Sequence, residues 1–153
     1  MRTFTPSIAT PCGVTRRRWR SSLSEPNWVG SGELVDVNVD IVTDSGHEHG
    51  VLKPNELESA CERPYNLWNY GEVEDIVSLA VTLLSGIVHN HPFIDGNKRT
   101  ALIAARALLR RNGFDLDFPN EIELGELIRD FAAGLLAEED LEEAFERYLV
   151  SLE

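Results

Sequence analysis

Within residues 91–99, one histidine, one aspartate, one lysine and one arginine stand close together: His91, Asp95, Lys98 and Arg99. A histidine, with an ordinary pKa of about 6.5, can take a proton from an attacking hydroxyl at neutral pH. A carboxylate beside phosphate oxygens is what Mg2+ takes from a protein, because this ion fills its other positions with water and phosphate. Lys98 and Arg99 add a point charge and a planar bidentate donor that match the oxygens of a polyphosphate. Gly96 has no Cβ to obstruct a ligand, and Asn97 is a residue type that caps helices. A helix start there presents unpaired N–H groups and the positive end of the dipole, which attract phosphate. Base, metal ligand and phosphate cradle thus follow one another along a single loop. Phe93, lying between the polar His91 and Asp95, is expected to turn inward and pin the loop to the core, with Pro92 stiffening it.

Blander readings compete with this one. The loop could be a helix connection whose charges only face solvent, or the chain could keep the cradle as a regulatory nucleotide-binding module without turnover. His89-Asn90-His91 invites comparison with H-N-H nucleases, but such sites need metal-binding histidines far apart in sequence, and that reading is rejected. His47 and His49 flank Glu48 and carry ligand chemistry, yet paired histidines in a turn are more often solvated polar residues. His89 is read as structural. Arg106 and Arg110 share the helix of Lys98 at spacings that could turn them toward the cleft, although such arginines more often pair with surface carboxylates.

Two long helices must hold the loop. Residues 72–88 place Ile76, Ala80, Leu83 and Ile87 at helical spacing, with Glu72, Glu74 and Asp75 where the dipole favours acids. After the loop, Asn97 caps a second helix with Ala101, Ala105, Leu108 and Leu109 on its apolar face, stopped by Asn112-Gly113. Residues 122–136 and 138–152 have the same periodicity. Upstream, Leu34, Val37 and Ile41 fit either a helix capped by Ser31 or a strand, since they are rich in β-branched neighbours. Pro54 opens a short helix to about Cys61 that Arg63-Pro64 closes, and residues 65–71 read as a loop. The expectation is an all-α domain over residues 31–153 with one short extended segment, preceded by a weakly structured tail over residues 1–30 that holds Arg16, Arg17, Arg18 and Arg20.

Composition limits the alternatives. The chain has 153 residues, 42% of them hydrophobic, enough for one compact core. No apolar run approaches the roughly 20 residues that span a bilayer, and the expected location is the cytoplasm, with no membrane partner. A formal charge of −12 argues against general nucleic-acid affinity, which needs a concentrated basic surface. Cys12 and Cys61 suggest neither a disulfide framework nor a cysteine metal site.

The stretch His91-Pro92-Phe93-Ile94-Asp95-Gly96-Asn97-Lys98-Arg99 resembles the active-site pattern of the Fic/Doc family, H-P-F-x-D/E-G-N-G/K-R. The likeness extends over residues 31–152, through Gly50-Val51-Leu52, Leu57-Glu58-Ser59-Ala60, Arg63-Pro64 and residues 108–113, which are similar to segments of death-on-curing proteins. It implies a compact helical bundle with the active-site loop between two central helices. It also implies a general base at His91, an Mg2+ ligand at Asp95, and contacts from Asn97, Lys98, Arg99 and the Gly96 backbone to ATP or another nucleoside triphosphate. The family keeps an extended flap before the first long helix that aligns the target. Residues 63–70 are expected to supply it, with Tyr65 and Asn66 touching the target.

Lys98 with Leu102 resembles the Doc-like branch, a toxin of a toxin–antitoxin pair that moves the γ-phosphate to a threonine of elongation factor Tu. Gly96, however, is what the AMP-transferring branch carries, and the Doc prototype has Ala there, so an AMP transferase is the alternative. Internally restrained family members carry an S/T-x-x-x-E-G/N helix. The nearest approach here runs from Ser21 to Glu25, with Pro26 in the last position, which points to restraint by a separate antitoxin protein.

Overall fold

The computed structural model describes residues 25–71 and 73–152. Among them are helices α1 (Ser31–Asp44), α2 (Pro54–Asn69), α3 (Ile76–Asn90), α4 (Asn97–Arg111), α5 (Glu121–Ala132) and α6 (Glu138–Tyr148), with short strands β1 (Phe114–Leu116) and β2 (Leu149–Ser151). No helix among the described residues is long and apolar enough to cross a membrane.

The architecture is organised around α3. Every residue from Ile76 to Val88 is buried, and a mostly apolar helix covered on every side belongs inside a bundle. It packs between α2 and α4 and also meets α6. Small residues permit the close approach: a Cβ at Gly86 would stand 3.0 Å from Cβ of Ala60 on α2, and α4 turns Thr100, Ala101, Ala104, Ala105, Leu108 and Leu109 inward. The helix starts later than its acidic run suggests. Asp75 is the cap, accepting from the Val77 N–H at 3.1 Å and from the Ser78 hydroxyl at 3.2 Å.

The open choice upstream resolves to a helix. In α1 the buried positions are Leu34, Asn38, Ile41 and Val42, a three-to-four spacing that only a helix can point one way. Gly30, not Ser31, is the N-cap, and Glu33 reaches back to accept the Gly30 N–H at 3.0 Å. The expected helix end near Cys61 is corrected: α2 runs through Pro64 to Asn69. Pro64 is buried on the same face as Leu57 and Ala60. Packing that face against α3 offsets the lost hydrogen bond and ring clash, which cost about 3 kcal/mol in a helix interior. The extended segment lies elsewhere, at residues 50–53. Val51 bridges Phe93 antiparallel, Leu52 and Lys53 donate to the Pro92 carbonyl at 2.8 and 3.2 Å, and Ile94 donates to Gly50 at 2.9 Å.

At the C-terminal end, the expected helices over 122–136 and 138–152 both finish early, at Ala132 and Tyr148. Residues Leu149–Ser151 instead pair antiparallel with Phe114–Leu116, because the edge of β1 offers backbone partners that a helix end does not. The expected tail also needs correction. Its residues 1–24, including the arginine cluster and Ser21, lie outside the described residues, but 25–30 are docked on the end of α4. Asn27 donates its backbone N–H to Asn112 Oδ1 at 2.9 Å and its side-chain amide to the Arg111 carbonyl at 3.1 Å, and Val29 is buried in the core cluster.

Arg111 ties this junction together, donating to the Trp28 carbonyl at 2.7 Å and to both carboxylate oxygens of Glu33. The paired guanidinium, with the Gly30 N–H, brings the Glu33 carboxyl down from 4.5 to about 2. A folded-state pKa below the unfolded one means that the folded state binds fewer protons. The contribution is therefore full above pH 4.5 and is lost as the pH falls toward 2. Glu33→Gln is expected to lower the Tm at pH 7 by about 1–3 °C, a magnitude set by the partial exposure of the pair. In thermal melts across pH, that difference should shrink below pH 4.5.

Candidate active site

Between α3 and α4 the chain reverses through residues 92–96. It leaves α3 at His91, whose φ of 54° and ψ of 55° are left-handed, the one positive φ at a non-glycine residue among those described. Histidine tolerates this region better than most side chains, and the cost of roughly 1–2 kcal/mol is met by the fixed ends on either side. Phe93 is fully buried, as its sequence context predicts. Its backbone is held by one side chain: the Phe93 N–H donates to Asn97 Oδ1 at 3.0 Å, and Asn97 Nδ2 donates to the Phe93 carbonyl at 3.0 Å. Asn97 is 4% exposed. Both ends of its amide are spent on the loop, so the expected side-chain contact to phosphate gives way to an inward clamp. Nor is Asn97 the cap. Gly96 is the N-cap, with a φ of 76° that favours glycine, and a Cβ there would stand 3.1 Å from Nδ2 of Asn38 and 3.2 Å from Cγ1 of Val42.

Asp95 is a half-exposed carboxylate at 47%. Its Oδ1 accepts the Gly96 N–H at 2.8 Å, and its Oδ2 accepts from Nδ1 of His47. The His47 hydrogen bond, then the Gly96 N–H, and more weakly the fields of His47 and His91, hold this carboxyl below the usual range. Its backbone carbonyl accepts from Asn38 Nδ2 at 2.8 Å. Asn38 itself is fully buried and is also bonded to Thr100 Oγ1 at 3.1 Å and to His49 Nδ1 at 2.8 Å. Among the described residues no group of three or more His, Cys, Asp or Glu could hold a metal ion. A lone exposed carboxylate fits a divalent cation that brings phosphate oxygens as its other ligands, and does not fit an all-protein cage.

Lys98 and Arg99 are exposed on the first turn of α4, where N–H groups have no partner within the helix. Arg99 reaches the Ser45 hydroxyl at 3.5 Å. His91, the Asp95 carboxylate, Lys98 and Arg99 thus stand at the surface around one helix start. Arg106 and Arg110 do not join it. Both are paired with Asp115, at 3.3 and 2.8 Å, and they line a groove of about 370 Å³ on the outer face of α4 with Ile103, Ala107 and Arg111. Tyr65 and Asn66 are corrected as well. They sit inside α2, where Tyr65 packs edge-on against Trp28 with ring centroids 5.7 Å apart, so no extended flap forms there. His89 bonds to Ser85, whose hydroxyl donates to Glu138 at 2.8 Å and so links α3 to α6.

Sequence reasoning missed Asn38 and weighed His47 and His49 as metal ligands or, more often, solvated turn residues, not as partners of the loop. No local signal marks a contact between positions 38 or 47 and 95. Only the knowledge that α1 is a helix would have placed Asn38 on the face that carries Leu34 and Ile41.

The clamp has a direct test. Asn97→Ala leaves the buried N–H and carbonyl of Phe93 without partners and is expected to destabilise the fold by roughly 2–4 kcal/mol, measured by denaturant unfolding. Asn97→Asp keeps the acceptor for the Phe93 N–H but sets a second carboxylate oxygen against the Phe93 carbonyl, and should destabilise at least as much.

Residues 28–109 match the model of the Fic/DOC family, a span that includes the whole loop. The chain is similar to the protein kinase doc of Escherichia phage P1, at 30% identity over 122 residues that make up 79% of this chain and 94% of that one. With the helical fold, the clamped loop and this extent of match, the chain belongs to the Fic/DOC family.

Proposed function

We propose that the chain is a Doc-like toxin that transfers the γ-phosphate of ATP or another nucleoside triphosphate to a protein hydroxyl. The observation that supports this best is His91, fixed in a left-handed turn at the end of α3, with the start of α4 and the exposed Lys98 and Arg99 across residues 92–96. The relative that shares 30% identity is named a protein kinase, and the Lys98 and Leu102 pair resembles that branch.

In this reading the triphosphate lies on the first-turn N–H groups of α4, with Lys98 and Arg99 on its oxygens. A bound Mg2+ would supply charge neutralisation across the phosphates, with Asp95 as its protein ligand. His91 takes the proton of the target hydroxyl as that oxygen bonds to the γ-phosphorus and the bond to the bridging oxygen breaks. The products are the phosphorylated protein and the nucleoside diphosphate, and the proton on His91 returns to solvent. Alignment and charge carry such transfers, so a rigid loop is what the chemistry asks of the fold. The target proposed is a threonine of a protein like elongation factor Tu, and the restraint is a separate antitoxin.

Transfer of AMP is the second reading, favoured by Gly96, whose φ of 76° suits glycine better than the alanine of the Doc prototype. Label position separates the two. Incubated with a translation factor, label from γ-phosphate is expected to reach the target and label from α-phosphate is not; the reverse assigns AMP transfer. His91→Ala is expected to lower turnover by at least ~100-fold with nucleotide affinity nearly unchanged. Growth arrest that persists in that variant would mean that the chain acts without catalysis.

A further inference from the structure

The turn after α1 grips Asp95 from two directions. The His47 N–H donates to the Val42 carbonyl at 2.8 Å, which fixes this turn to the end of α1. From there the ring reaches the Asp95 carboxylate, while His49 donates to Asn38 Oδ1 at 2.8 Å and Asn38 donates to the Asp95 carbonyl at 2.8 Å. An ionised carboxylate only accepts hydrogen bonds, so Nδ1 of His47 carries the proton in the contact with Oδ2. Asp95 thus has its backbone held through Asn38 and its side chain held at both oxygens, by Gly96 and by His47. Each carboxylate oxygen offers two lone-pair sites, so one donor on each leaves acceptor capacity for a cation.

We propose that His47 is a positioning residue of the active site: it holds the Asp95 carboxylate in a fixed orientation, so that a divalent cation arriving with the nucleotide meets a ligand already set. The proposal rests on the reading of Asp95 as the metal ligand. Two features set this contact apart from an ordinary surface ion pair. The His47 backbone is tied down although its side chain is 59% exposed, and the same turn supplies the second histidine to the buried network behind the loop. Hydrogen-bonding partners of a ligating carboxylate typically account for 10–100-fold in metal affinity. His47 acts through Asp95 and needs no contact with substrate.

The test measures binding of adenylyl-imidodiphosphate to the full-length chain by calorimetry, with MnCl2 and again in EDTA, together with the EPR signal of bound Mn2+. His47→Ala is expected to weaken manganese-dependent binding about 10–100-fold and to leave binding in EDTA unchanged. His47→Asn places an amide N–H near the position of Nδ1 and should restore most of the affinity. His47→Gln places its amide nearer the position of Nε2 and should not. This pattern separates orientation from general loss of structure, which would weaken both conditions and all variants alike. Unchanged manganese-dependent binding in His47→Ala overturns the proposal. Tighter binding overturns it too, because His47 would then compete with the cation for the carboxylate. Asp95→Asn is the control for the underlying reading. If that variant, or the unaltered chain, shows no manganese contribution that depends on Asp95, the assignment of the metal ligand fails and the proposal falls with it. If Asp95→Asn abolishes the contribution and His47→Ala is silent, only the positioning role fails.

Discussion

The side-chain amide of Asn97 closes on the backbone of Phe93 with a donor and an acceptor at 3.0 Å each, and the active-site loop owes its shape to that pair. A loop this short must reverse direction between two packed helices while keeping its polar groups satisfied. Asn97 does so from the first turn of α4, in a buried position where a hydrogen bond is stronger and its loss costs more than in water. With Phe93 sealed beneath it, the exposed part of the loop is left to His91, Asp95 and the helix start. Pro92, Phe93 and Asn97 are buried and form the platform, while His91, Ile94, Lys98 and Arg99 are exposed above it.

The platform depends in turn on elements distant in sequence. The buried side of α1 presents Asn38 and Val42 to Gly96, which is why no larger residue fits there without displacing them. The extended residues 50–53 pair with the loop's other edge. Helix α3 sets where the loop begins, and its burial against α2 and α4 makes that position rigid. Support thus reaches the loop from α1 and from the segment before α2, although the motif itself occupies only the α3–α4 connection and the first turn of α4.

Much of this was legible in the sequence. The central helices showed in the spacing of Ile76, Ala80, Leu83 and Ile87 and of Ala101, Ala105 and Leu108, because their burial is strong and local periodicity carries it. The motif itself showed in the types and order of residues 91–99, and the family match spans it. What escaped depends on long-range packing. Pro64 reads as a helix end until its burial against α3 is known, and Leu149–Ser151 continues a helical pattern until β1 offers it a partner. Asn97 looks like a cap or a ligand contact because both use an exposed amide, and only the depth of Phe93 shows that it faces inward. His47 is the clearest example: in the chain it lies far from Asp95, and in the fold the two side chains touch.

A crystal structure of the chain with a non-hydrolysable nucleoside triphosphate analogue and Mg2+ tests the central claim most directly. The account predicts phosphate oxygens on the first-turn N–H groups of α4 beside Lys98 and Arg99, with the Asn97 amide still closed on Phe93. Phosphates bound elsewhere, or an Asn97 side chain swung outward to meet them, would contradict it.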